Sequence, residues 1–171
     1  LYLCGGPADN GSYRKIELVR NNKVHKTVDI YDFLLHGSLA GNIQLSDGDV
    51  IRIPYYESRV SVNGEVKRSG IFEIIAGDKL QQVLDNAGGF SDSAYRSSVK
   101  ILQVTDKERK VSDVNSSNYN MQELHGGDAI YVGKVINRYA NRVVIKGAVM
   151  RPGQFELTTD FTLKQLILNA D

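Results

Sequence analysis

The chain has 171 residues, 42% of them hydrophobic and 24% charged, and its 21 basic residues almost cancel its 20 acidic ones. A formal charge of +1 gives no footing to nucleic-acid binding or to capture by an anionic membrane surface. With Cys4 as its single cysteine, the chain forms no intrachain disulfide, and no apolar run reaches the roughly 18 residues that a membrane-crossing helix needs.

In chain order, Leu1 to Pro7 has the pattern of a helix end, and Ala8 to Ser12 is a loop. Arg14 to Arg20 alternates, with Ile16 and Leu18 on one face, which predicts a strand. Asn21-Asn22 is a turn signal, and Val24 to Ile30 is the partner strand of the hairpin. Ile30 to Leu35 is a short helix closed by Gly37. Leu45 to Pro54 is a polar turn leading into a strand, which Pro54 ends because it has no N–H to donate.

From Val60 the pattern is two strands and a helix. Val60, Val62 and Val66 point inward, Lys67 to Gly70 form the turn, and Phe72 and Ile74 lie on the returning strand. Leu80, Val83, Leu84 and Ala87 fall on one helix face, and Gly88-Gly89 supplies the left-handed stop. Asp78 with Gln81 is expected to cap the helix start. Val99 to Val104 is a strand, Asp106-Lys107 its turn, and polar Asp113 to Asn120 a loop. His125 to Val132 is a second Gly-Asp turn feeding a strand, as at Asp47 to Ile53.

The hairpin and helix then return from Val143 to Asp171. Gly64 maps to Gly147, Arg68 to Arg151 and Glu73 to Glu156, each step being 147 − 64 = 83 residues. Over the 29 aligned pairs there are 11 identities, where unrelated segments would share about two. A period of that length means one small domain per copy. Arg151-Pro152-Gly153 reads as a type II turn, with Gly153 at the corner that needs positive φ. Thr162 with Gln165 caps the helix, and Leu163, Leu166, Ile167 and Ala170 form its apolar stripe.

The order per unit is strand, strand, helix, strand, strand, irregular segment, strand. One helix across a mixed sheet of four or five strands is an α+β, β-grasp layout. The boundaries expected are the later part of a first domain at 1–56, a complete second domain at 57–135, and the hairpin and helix of a third at 141–171. Residues 1–56 would lack a helix to cover their sheet, while 141–171 would expose the stripe from Leu163 to Ala170. The C-terminal hairpin and helix are therefore expected to dock on the N-terminal half-domain, within one chain or from a neighbour.

Sites of chemistry are scarce. Gly5-Gly6 and Gly88-Gly89 follow a helix, whereas a phosphate loop precedes one. Asp47-Gly48-Asp49 and Asp128 lack the further oxygen ligands of a calcium loop. His25, His36 and His125 stand apart, without metal spacing. Cys4, at a repeat core position with no paired histidine, is a buried small side chain, and Leu3 makes Leu1 to Cys4 a poor lipidation site. Asp106 and Glu108 share a charged hairpin tip, where nothing separates their acidities as acid–base catalysis requires. No enzyme signature, cofactor motif or metal site is found. Arg68 and Arg151, at equivalent hairpin corners, and the rings of Tyr95 and Tyr131 are candidates for glycan or subunit contact. The other reading is a solvated turn for the arginines and partly buried sheet positions for Tyr55, Tyr56, Tyr95 and Tyr131.

At Gly64-Glu65-Val66…Gly70…Phe72, Leu80…Ala87-Gly88-Gly89 and Gly127-Asp128, the sequence resembles the soluble-ligand-binding β-grasp (SLBB) domain. Gly147-Ala148-Val149…Arg151-Pro152-Gly153…Phe155 carries the fuller form, while Ser69 stands where the proline is usual and Cys4 where alanine is customary. Tandem copies are typical of outer-membrane polysaccharide export proteins. The resemblance thus implies tandem SLBB domains stacked in a periplasmic homo-oligomer that lines or braces a channel for capsule or exopolysaccharide, with no catalysis of its own. It implies polysaccharide as cargo, an inner-membrane polysaccharide co-polymerase as partner, and a bacterial envelope location at the periplasm or outer membrane. On this reading the chain is a segment of a longer protein with a lipoprotein signal and a preceding export-type domain. A small-ligand-binding module and a non-catalytic structural adaptor are the alternatives.

Overall fold

A computed structural model describes residues 5–105 and 107–170. The readings of Cys4, of the Leu1 to Cys4 segment and of Asp106 lie outside the described residues. The chain divides into two compact units, Leu1–Val135 and Ile136–Asp171.

The larger unit holds two sheets. Strands β1 (Ile16–Arg20) and β2 (Lys23–Val28) form a hairpin, and β3 (Val50–Arg52) pairs with the other side of β1, giving the order β2-β1-β3. The hairpin turns on Asn21 and Asn22, both at positive φ, which short polar side chains tolerate best. Helix α1 (Ile30–His36) starts where the Asp29 carboxylate accepts the Tyr31 N–H and stops at left-handed Gly37, so both ends satisfy orphan backbone groups.

The second sheet takes β4 (Ser58–Gly64), β5 (Gly70–Ile74), β6 (Ser98–Val104), β7 (Arg109–Asn115) and β8 (Ala129–Val132) in the order β5-β4-β8-β6-β7. All neighbours are antiparallel except β4 and β8, which run parallel with Val62 beside Ile130. Helix α2 (Leu80–Asn86) lies on this sheet. Its residues Leu80, Val83 and Leu84, with Ala87 at its end, are fully buried against Val60, Val62, Ile101 and Ile130. At about 25 cal/mol per Å² of apolar surface, each such leucine contributes on the order of 2 kcal/mol.

Gly64 is the residue that this packing cannot replace. Its φ is +91°, and a Cβ there would stand 2.1 Å from the Val132 carbonyl oxygen. The positive-φ glycines of the two hairpins are Gly64 and Gly147. Gly70 and Gly153 instead open the returning strands without left-handed backbone, so Gly153 is not the corner of a type II turn. The expected loop from Asp113 is also revised: β7 continues to Asn115, and Ser116–Asn118 makes one 3-10 turn. β7 is an edge strand with Val114 as its one buried side chain, and so few inward residues give a strand the composition of a loop.

The smaller unit holds β9 (Arg142–Ile145) and β10 (Gly153–Glu156), an antiparallel pair, followed by α3 (Leu163–Asn169). Thr162 caps α3 with Gln165 as expected. Of the apolar stripe, Leu166 and Ala170 are buried, while Leu163 and Ile167 are 72% and 51% exposed, so only half of it faces solvent. Among the described residues no helix is long and apolar enough to cross a membrane.

Candidate functional site: a buried polar joint

The cap of α2 shows why its neighbourhood differs from that of α3. The Lys79 N–H donates to Gln82 Oε1 at 2.9 Å, so the helix start is one residue later than the expected Asp78 with Gln81. Lys79 and Gln82 now align with Thr162 and Gln165 at the same step of 83. Asp78 is thereby released from capping. Its Oδ2 accepts the Ile75 N–H at 3.0 Å and receives the Arg14 guanidinium from the N-terminal segment.

Glu73 is recruited in the same way. Alternation along β5 turns Phe72 into the core and Glu73 to the opposite face, where a carboxylate is ordinarily solvated. Here it is 2% exposed, because the segment before β1 lies over it. Ser12 Oγ donates to Glu73 Oε1 at 2.5 Å, the Tyr13 N–H donates to Oε2 at 2.7 Å, and the Glu73 N–H donates to the Tyr31 hydroxyl at 3.0 Å. Arg14 Nε reaches Asp29 Oδ2 at 2.8 Å, and its guanidinium stacks 5.3 Å from the Tyr31 ring centre.

Beside this cluster Arg59 donates to the carbonyls of Asp9 and Gly11 at 2.7 and 3.3 Å and lies 3.7 Å from the Tyr56 ring centre. Burial works against the charge on Arg14, but Asp29 and Asp78 outweigh it and hold its pKa above the ordinary value. Burial, aided by the Glu73 charge, likewise raises the Tyr31 phenol. Both carboxylates are consumed by donors from residues 12–14, so the cluster is built to fasten two segments and offers no acid–base pair to a substrate. Breaking one partner of such a buried set costs about 3–5 kcal/mol. Alternation places Glu73 outward, and nothing in the sequence signals the cover.

The other candidates are dispersed. Arg68 donates its backbone N–H to Ala87 O at 2.9 Å and its guanidinium to Asn86 O at 3.0 Å, placing positive charge at the C-terminal end of α2. The Arg151 N–H makes the matching bond to Ala170 O at 2.9 Å. These corners close their own helices. Tyr95 and Tyr131 are exposed, and so are Tyr55 and Tyr56, which corrects the partly buried reading for all four. Tyr131 lies on β8 beside Asn63 and Lys100, and the Tyr95 N–H donates to Gly133 O. No group of three or more His, Cys, Asp or Glu among the described residues is placed to hold a metal.

A concavity of about 550 Å³ lies over α1 and is lined by Tyr13, Val28, Phe33, Leu34 and Leu39, with Gly5 to Pro7 at one side. Its carboxylate, Asp29, is already engaged by Arg14 and the Tyr31 N–H.

Strands β5 and β6, most of β4 and of β7, helix α2 and Gly64 fall where one known domain is recognised. Residues 59–112 match the SLBB domain. The match covers 54 of the chain's 171 residues. Two curated Escherichia coli sequences, each named Polysialic acid transport protein KpsD, are 42% identical to it over 74 residues. The matched segment is 43% of this chain and 13% of each relative. The SLBB match begins at Arg59, one residue into β4, and runs through α2 into β7.

Proposed function

We propose that the chain is a periplasmic segment of a polysaccharide export protein, in which SLBB domains of successive subunits stack to form or brace a translocation channel. The observation that carries this reading is the 42% identity to a polysialic acid transport protein over 74 residues, beside the SLBB match at residues 59–112. The joint of Ser12, Arg14, Glu73 and Asp78 supports it, because a bracing element needs rigidly connected modules. Tyr95, Tyr131, Arg68 and Arg151 are the glycan- or subunit-facing candidates of this reading, and an inner-membrane polysaccharide co-polymerase is its partner. The chain itself has no catalytic task.

A small-ligand module is the second reading, favoured by the 550 Å³ cavity. Pockets that capture small molecules combine apolar walls with a few free polar groups, and the commitment of Asp29 to Arg14 weakens that match. Deleting the gene in its host and staining surface polysaccharide tests the export reading. The expected result is loss of surface glycan with intracellular accumulation, restored by the full-length gene. Unchanged surface glycan would overturn it.

A further inference from the structure

Each Gly-Asp turn ends in an aspartate that leads into a strand, and both copies fasten it alike. Asp49 Oδ2 accepts the Ser46 N–H at 2.8 Å, and the Asp49 N–H donates to Ser46 O at 3.2 Å. Asp128 Oδ2 accepts the His125 N–H at 3.0 Å, and the Asp128 N–H donates to His125 O at 3.1 Å. The positions correspond at one step, 128 − 49 = 79 and 125 − 46 = 79.

The copies differ in what meets the charge. Arg20 Nε donates to Asp49 Oδ1 and Nη2 to Oδ2, both at 2.7 Å, while Nη2 also reaches Gln44 O at 3.3 Å. One cationic group thus sits where a carboxylate and a backbone carbonyl converge. In the second copy Gln103 holds the place of Arg20, 103 − 20 = 83, and Glu123 that of Gln44, 123 − 44 = 79. Continuing the register of β6 and β8 puts Gln103 opposite Asp128. Asp128 is 1% exposed, and its Oδ1 is buried without a hydrogen-bond partner. Among the described residues it forms no ion pair, the nearby Lys79 being committed to the Glu123 carboxylate at 2.6 Å.

An ionised carboxylate shielded from water needs an opposite charge. A water molecule would give Oδ1 a donor without neutralising it, whereas the first copy shows that this position takes a cation. The groups at the counterpart place are all oxygens: Asp128 Oδ1, the Glu123 carbonyl and Gln103 Oε1. The carbonyl accepts from Gln122 Nε2 at 2.7 Å and Gln103 Oε1 from Ser112 Oγ at 3.1 Å, so each keeps a lone pair in reserve. Such oxygens suit hard cations, and one carboxylate balances one charge. Calcium takes roughly six to eight oxygens, more than converge here.

We propose that Asp128, Gln103 and the Glu123 carbonyl bind one alkali cation, sodium or potassium, in the place that Arg20 fills in the first copy. The site stands independently of the export reading. Urea unfolding of the 171-residue chain in sodium, potassium and tetramethylammonium chloride at equal ionic strength tests it, the last cation being too large to enter. The wild-type midpoint is expected to be higher in at least one alkali chloride than in the tetramethylammonium salt. In mixtures at fixed ionic strength, the folded-to-unfolded ratio should approach a tenfold rise for each tenfold increase in alkali cation above its dissociation constant, the mark of one site. Gln103→Arg carries its own cation to Asp128 and is expected to unfold at one midpoint in all three salts, its fold verified by circular dichroism. Asp128→Asn removes the charge and should lose the difference as well. A wild-type midpoint indifferent to the cation, as a buried water at Oδ1 would give, overturns the proposal. So does a difference that persists in Gln103→Arg, which would trace it to general effects of the salts.

Discussion

Ser12 and Glu73 share a 2.5 Å hydrogen bond across 61 positions of sequence, and both are buried. Glu73→Ala would leave the Ser12 hydroxyl and the Tyr13 N–H without their acceptor, at about 1–3 kcal/mol for each stranded group. Glu156, its repeat counterpart, is exposed, and its carboxylate accepts from the Asn141 amide at 3.2 Å. Glu156→Ala is expected to change stability by less than about 0.5 kcal/mol. Urea denaturation of both variants checks the contrast, and equal effects would refute the joint.

Gly64 and Gly147 separate backbone strain from collision. Both sit at positive φ, but a Cβ at Gly147 meets nothing within 4 Å, whereas at Gly64 it strikes Val132 O. Gly147→Ala should cost about 1–2 kcal/mol from backbone conformation. Gly64→Ala should cost about 3 kcal/mol or more, because β4 must part from β8 to make room. Thermal unfolding gives the order, and a Gly147 variant as damaging as the Gly64 one would contradict it.

Asp128 has an oxygen, Oδ1, that is buried without a hydrogen-bond partner among the described residues. In the first copy the equivalent Asp49 accepts two bonds of 2.7 Å from Arg20. Continuing the β6–β8 register places Gln103 opposite Asp128, as Arg20 lies opposite Asp49. Gln103→Arg is therefore expected to raise stability by about 1 kcal/mol, seen as a higher urea midpoint with unchanged slope. A lower midpoint would show that Gln103, which accepts from Ser112 at 3.1 Å, has the more important partner.

The same Asp49 predicts an acid response. Arg20 and the Ser46 N–H lower its pKa to about 2, from 3.8. A depressed carboxylate stabilises the fold above its unfolded value and loses that contribution as pH falls through the folded one. Stability carried by Asp49 should therefore decline between about pH 4 and pH 2. Asp49→Asn should flatten this part of the profile followed by far-ultraviolet circular dichroism. A profile as steep as wild type would assign the acid response to other groups.

The sequence discloses most readily what is encoded locally. Leu80, Val83, Leu84 and Ala87 announce a buried helix face by spacing alone, and the step from Gly64 to Gly147 marks the turn of each copy. Glu73 is the contrary case. Its exposure is decided by Ser12, Tyr13 and Tyr31, so neither alternation nor the repeat reveals its burial. The helix cap slipped by one position because Asp78 satisfies the capping rule in sequence yet is claimed by Arg14 and the Ile75 N–H in space. The β7 edge was obscured for another reason: with only Val114 buried, a solvated strand and a polar loop have the same composition.

The parallel pairing of β4 with β8 has a mechanical meaning. The chain enters this domain at the start of β4 and leaves it at the end of β8, the two strands meeting in four rungs from Ser61 and Ala129 to Gly64 and Val132. Tension drawn along the backbone therefore pulls these neighbours past each other lengthwise, and all four rungs must yield together. Peeled from one end they would give way singly. A domain threaded in this manner behaves as a clamp under load.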